Sequence, residues 1–119
     1  MLDRLPRTLL RAEGFSLAGA ALAVYFHEGY SWVLLGVLAL APDLAFAAYV
    51  FGPRVGALAY DLTHTELLPL VIAASCAVSE ADRGIAIALV WLMHIGVDRT
   101  LGYGLKYPTA FGDTHLQRV

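Results

Sequence analysis

His94 and Asp98 stand four residues apart in 91-WLMHIGVDRT-100, inside the oily run from Gly84 to Leu101. Asp61 and His64 stand three apart in a second apolar run. Spacings of three and four place side chains on one face of a helix, so two helices would each present an imidazole and a carboxylate. Such donors suit zinc, iron or manganese, and helical bundles build metal sites from inward-facing groups of this kind. Asp43, directly after Pro42 in another run, adds a carboxylate. The expected set is His64, His94 and Asp98 as metal ligands, Asp43 as fourth ligand or general base, and Asp61 as a further catalytic candidate or an outer group. The spacing permits a metal without requiring one. The same pairs could be buried hydrogen bonds that hold helices together in lipid, where each is worth about 1 kcal/mol.

The solvent these groups meet follows from composition. Apolar residues make up 59% of 119 residues and charged residues 15%, and mean hydropathy is +0.66. A soluble domain is about half apolar and a quarter charged, so lipid is the expected surrounding. The length suits one domain, residues 1–119, and not two independent cores. The single cysteine, Cys76, excludes an internal disulfide framework and any four-cysteine zinc site. A net charge of −2 provides no basic field for nucleic acid. No removable signal peptide is evident, because no small-residue cleavage site follows the first apolar run.

Four apolar stretches must position the polar groups: about 9–26, 32–51, 55–78 and 84–101, followed by a tail at 102–119. The first is the weakest, since Arg11 and Glu13 leave only Phe15 to Phe26 free of charge, short of the roughly 17–25 residues a span needs. The links around 27-HEGYS-31, 52-GPR-54 and 79-SEADR-83 are short and rich in turn residues, which makes sequential helices antiparallel neighbours. No stretch alternates as a barrel wall would. The expected fold is all-α, a compact four-helix transmembrane bundle with an interfacial C-terminal tail. Gly14, Ala18 and Ala21, with Gly19 nearby, read as close-packing positions, and Pro42 either frees a backbone carbonyl beside Asp43 or is a mere kink in its span.

Arg4, Arg7 and Arg11, then Arg54, then Arg99, Lys106 and Arg118 fall on one side of such a bundle, against Arg83 alone on the other. The positive-inside rule then puts both termini in the cytoplasm. At about 1.5 Å per residue, Asp43 would lie roughly 12 Å deep, Asp61 and His64 about 9–14 Å and His94 and Asp98 roughly 5–11 Å, all from the cytoplasmic end. Intramembrane ionisable groups face one another or a wet cavity. Glu13, entering from the same side, and Tyr60, Arg99, Lys106 and His115 are further members expected of that polar cluster. Tyr103, Tyr107 and Lys106 have the chemistry of interfacial anchors, while Gly102, Gly104, Pro108 and Gly112 allow the tail to fold back and bring Asp113 or His115 towards the cluster.

The set 42-PD-43, 60-YDLTHTELLP-69, 94-HIGVDR-99, 102-GYGLKY-107 and 114-THL-116 resembles small bacterial membrane proteins grouped as domain of unknown function 4260, from about Leu9 onward. That resemblance implies a multi-pass protein of the bacterial inner membrane. A more distant likeness joins Pro42-Asp43, Thr63-His64, and His94 with Asp98 to membrane-bound metal-dependent hydrolases, though Asp61 stands where those carry an extra histidine. Two functions are therefore expected alternatives. One is a divalent-metal hydrolase acting on a lipid or lipid-linked substrate. The other is a non-enzymatic membrane protein whose cluster forms a proton or ion path or a polar lock for assembly. Four thin helices leave room for a homodimer or a larger membrane complex under either.

Overall fold

A computed structural model describes residues 4–106 and 114–118. Tyr107 and Asp113, named above as an interfacial anchor and a cluster candidate, lie outside the described residues. Helix α1 spans Leu5–His27, α2 Trp32–Leu38, a 3-10 helix Ala41–Phe51, α3 Pro53–His64, α4 Leu67–Val78, α5 Asp82–Leu101, and a last turn, α6, His115–Arg118. No strand occurs among the described residues. Four stretches are long and apolar enough to cross a membrane: Leu5–His27, Trp32–Phe51, Pro53–Val78 and Asp82–Leu101. The first gains its length by starting at Leu5 with Pro6 in its opening turn, a position where the missing N–H is no loss. Arg7 and Arg11 thereby lie within the helix, and Arg11 donates from Nε to Thr100 O at 2.9 Å.

The second and third spans differ from the continuous helices expected of them. Pro42 has no N–H, and Asp43 N–H bonds Leu40 O at 3.1 Å, so the α-helical pattern gives way to a 3-10 helix. The third span breaks at Thr65 and Glu66, with Thr65 extended (ψ 144°) between α3 and α4. Pro69 reinforces that break, since it cannot donate back to Thr65 O.

Helix α5 is the axis of the fold. Its buried residues run from Ala86 to Arg99 on several faces, whereas α2 has none and α4 only Pro69. Large apolar side chains such as Val33, Leu40, Val50, Leu67 and Val78 stand exposed, a surface suited to lipid and far beyond the isolated apolar patches of soluble monomers. Helix α1 lies against α5 through the stripe Gly14, Ala18, Ala21 and Tyr25. A methyl group added at Gly96 would fall 2.5 Å from Gly14 O and 2.6 Å from Ala18 N, so the two backbones are in near contact. Gly19, by contrast, faces open space.

At the far end of α5, Gly102 adopts φ +97°. Gly102 N–H bonds Arg99 O at 3.1 Å and Tyr103 N–H bonds Asp98 O at 2.8 Å, the paired bonds of a glycine-terminated helix. The chain turns back there. Leu116 is fully buried, Gln117 donates to Gly102 O at 3.3 Å, and Arg7 of α1 donates to Gln117 O at 3.1 Å. The end of the chain thus packs under the bundle.

Candidate metal centre

The two broken spans deliver the site. Asp43 sits in the first turn of the 3-10 helix, His64 is the last residue of α3, and His94 and Asp98 lie one turn apart on α5. His64 Nε2 is 3.2 Å from Asp43 Oδ1 and 3.4 Å from Asp98 Oδ2. His94 Nε2 is 3.1 Å and 3.3 Å from the same two oxygens. One ligand atom from each of the four residues lies within 4.8 Å of all the others.

Each ring is turned by its other nitrogen. His64 Nδ1 lies 2.9 Å from Tyr60 O and 2.9 Å from Thr63 Oγ1, and His94 Nδ1 bonds Ala39 O. A carbonyl only accepts, so both Nδ1 atoms carry the proton and both Nε2 atoms offer a lone pair to the centre when the rings are neutral. Ala39 O is available because its helical partners fail it: residue 42 is proline, and Asp43 N–H is bonded to Leu40 O. Of the two sequence-based readings of Pro42, the freed carbonyl therefore holds, and that carbonyl orients His94. The break after α3 is handled similarly. Trp91 Nε1 donates to Thr63 O at 2.5 Å and Arg99 Nη2 to His64 O at 3.1 Å. Helix α5 thus satisfies, with Trp91, His94 and Arg99, the carbonyls that two broken helices leave inside the bundle.

Two imidazole lone pairs aimed at two carboxylates would repel one another without a cation or protons between them. The four N···O separations of 3.1–3.4 Å are compatible with His–Asp hydrogen bonds and with donors around a shared ion. Four ligands at about 2.0–2.1 Å around one tetrahedral ion lie about 3.3 Å apart. The donor set and the four N···O separations would suit a divalent ion, with zinc, iron and manganese all served by such donors.

Around the four, an aromatic stack fixes His64: its ring lies 3.7 Å from the parallel Tyr60 ring, which stacks on Phe46 at 5.4 Å. Both histidines are buried, while the Asp43 side chain keeps 34% of its surface and Asp98 18%, so the centre opens on its carboxylate side. There a cavity of about 440 Å³ is lined by Asp43, Asp98, Tyr60, Lys106, Thr114 and Gln117 among others. Lys106 Nζ stands 4.7 Å above the Tyr60 ring, and its pKa is lowered by burial, against a nearby Asp61 that raises it.

The remaining candidates divide. Asp61 is not one of the four converging residues; its Oδ1 accepts the Lys106 N–H at 2.6 Å and ties the tail to α3. Tyr60, Arg99 and Lys106 surround the centre as described. His115 accepts the Leu105 N–H on Nδ1 at 2.8 Å, and burial, with Arg99 nearby, pushes its pKa below the usual histidine value. Glu13 does not join the cluster: it lies exposed on α1. Sequence reasoning missed Trp91, Phe46, Thr114 and Gln117. Trp91 had a usable signal, three residues before His94 and hence on its face, whereas Thr114 and Gln117 reach the site through a chain return that no periodicity reveals.

The family model described as domain of unknown function (DUF4260) matches residues 7–119. A multi-pass helical membrane protein with a buried His/Asp centre is the class that fold and site define, and the chain belongs to that family. No curated protein and no solved structure matches it.

Proposed function

We propose that the protein is a metal-dependent hydrolase of a lipid or lipid-linked substrate, with His64, His94 and Asp98 holding a divalent ion and Asp43 serving as its fourth ligand or, with that position open to water, as general base. The observation that carries this reading is the convergence of two oriented Nε2 atoms and two carboxylate oxygens beside a cavity. An ion held there would polarise an ester or phosphoryl oxygen and acidify a bound water. The protein's part is to hold the rings by Tyr60 O and Ala39 O, to present the Asp43 and Asp98 carboxylates, and to wall the centre from bulk water with Tyr60 and the returning tail. Asp43, the more exposed carboxylate, is placed to take a proton from an attacking water. Asp61 positions the tail and does not touch the reacting atoms.

The arginine bias supports a cytoplasmic side for both termini, the 52–54 turn and the centre, and the family resemblance supports a bacterial inner membrane as the location. A substrate would reach the cavity laterally at headgroup depth. The test is hydrolysis of short-chain lipid esters and lipid phosphates in mixed micelles by metal-loaded protein. Product release that falls at least about 100-fold in Asp43→Asn with the fold intact is the expected result. Equal rates in the two proteins would refute the reading.

A further inference from the structure

At the end of the bundle where α1 begins and α5 stops, a groove of about 460 Å³ is lined by Thr8, Arg11, Ala12, Phe15, Ser16 and Thr100. It shares no lining residue with the His/Asp centre or with the cavity beside that centre. We propose that this groove seats the headgroup of an anionic phospholipid, with the Arg11 guanidinium on the phosphate and an acyl chain running along α1 past Phe15 and Gly19.

Charge sets the sign of the ligand. Arg11 is the one ionisable side chain in the lining, and among the described residues no carboxylate is paired with it. Its Nε–H is engaged with Thr100 O at 2.9 Å, a neutral dipole that leaves the guanidinium charge in place. A guanidinium carries five N–H donors in a planar fork, so both Nη groups can still donate, and that fork matches a phosphate bidentately. Arg4 and Arg7 precede Arg11 at spacings of three and four and share its face, extending the positive charge towards the start of the helix. Glu13, two residues on, points elsewhere, because residues two apart do not face each other on a helix.

Depth and lining select a lipid as the source of the phosphate. Arg11 lies six residues into α1, about 9 Å along its axis, and is level with Thr100, the last residue but one of α5. That is headgroup depth for spans that begin and end there. Phe15 and Gly19 follow Arg11 at intervals of four, further into the span. Phe15 is 68% exposed and the space beside Gly19 is open, so an apolar track leads inward from the guanidinium, which an acyl chain can follow and a free ion cannot use. The Thr8, Ser16 and Thr100 hydroxyls each donate to the carbonyl four residues earlier. Their oxygens therefore meet a ligand as acceptors, which suits a headgroup that itself carries hydroxyl groups.

The experiment adds phosphatidylglycerol or phosphatidylcholine of matched chains to detergent-purified full-length protein and counts the lipid retained per chain by native mass spectrometry, with metal bound and after chelation. Phosphatidylglycerol is expected to bind at least about tenfold more tightly, Arg11→Gln to reduce that preference at least about fivefold, and Arg83→Gln, at the start of α5, to leave it unchanged. Arg11→Gln also removes the donor to Thr100 O, so a second reading uses the unmodified protein: bound phosphatidylglycerol should slow dicarbonyl modification of Arg11, located by peptide mass spectrometry, and not that of Arg83. Equal retention of the two lipids, a preference that survives Arg11→Gln, or equal modification of Arg11 with and without lipid overturns the proposal. Inorganic phosphate that displaces the lipid at equal concentration overturns it too, since the acyl track would then contribute nothing. Lipid lost on chelation would seat the headgroup at the metal centre instead and contradict the site at Arg11. Lipid retained at Arg11 by protein that never holds a metal would leave this site standing while the hydrolase reading falls.

Discussion

His64 and His94 owe their usefulness to carbonyls. Each ring has one nitrogen tied to backbone, at Tyr60 O and Ala39 O, so that the other is committed to the centre. Orientation of this kind is worth about 10–100-fold in metal affinity. Trp91→Phe, which leaves Thr63 O without its donor, should destabilise the protein by about 1–3 kcal/mol and weaken metal binding through His64, measured by competition with a chromophoric chelator. Unchanged affinity would show that the Trp91 bond does not position His64. That these imidazoles and carboxylates converge was legible in the sequence, because an ionisable side chain inside a membrane is costly and is kept where it has a partner. Glu13 was misplaced because its helical face could not be set without knowing how α1 packs, and Trp91 was passed over because an apolar ring in an apolar run gives no contrast.

At the scale of elements, the interruptions matter more than the helices. Pro42→Ala would supply a backbone N–H able to bond Ala39 O, competing with His94 for that carbonyl. The expected outcome is roughly tenfold weaker metal binding with helical content retained, read by the same chelator competition and circular dichroism. Gly96→Ala should lower stability by about 1–3 kcal/mol, because the added carbon meets the α1 backbone. Gly19→Ala, facing open space, should leave thermal unfolding in detergent unchanged or slightly raised. The docked tail has a pH signature. His115 has its pKa lowered by burial and accepts the Leu105 N–H while neutral, so below its ordinary value of about 6.5 the undocked tail binds more protons and docking weakens as pH falls. Faster hydrogen exchange at Leu105 on acidification would bear this out. The four spans were readable from run length, and proline's missing donor pointed to a freed carbonyl near Asp43 as one of two readings, without showing that it would be that of Ala39. The break after His64 was not, since Thr65 and Glu66 carry no strong breaker and Pro69 lies further along.

For the molecule as a whole, α5 serves as both axis and ligand platform, and the lipid-facing spans are folded around its polar stripe. A ligand set drawn from separate spans makes a bound ion a crosslink between them. An ion present at 100 times its dissociation constant should therefore add about 2.7 kcal/mol to stability, and its removal should lower the unfolding temperature. Cysteines placed at Arg4, Gly52 and Gln117 in a Cys76→Ser background should label from one side of the membrane, and those at Gly29 and Glu80 from the other, as the arginine bias requires. The central claim is the metal centre itself. Elemental analysis of detergent-purified protein, set beside His64→Ala and His94→Ala, tests it most directly. About one tightly held divalent ion per chain, lost in both variants while each remains folded, is the predicted result. Well-folded protein that holds no metal after reconstitution, or a metal content that survives both substitutions, would contradict it.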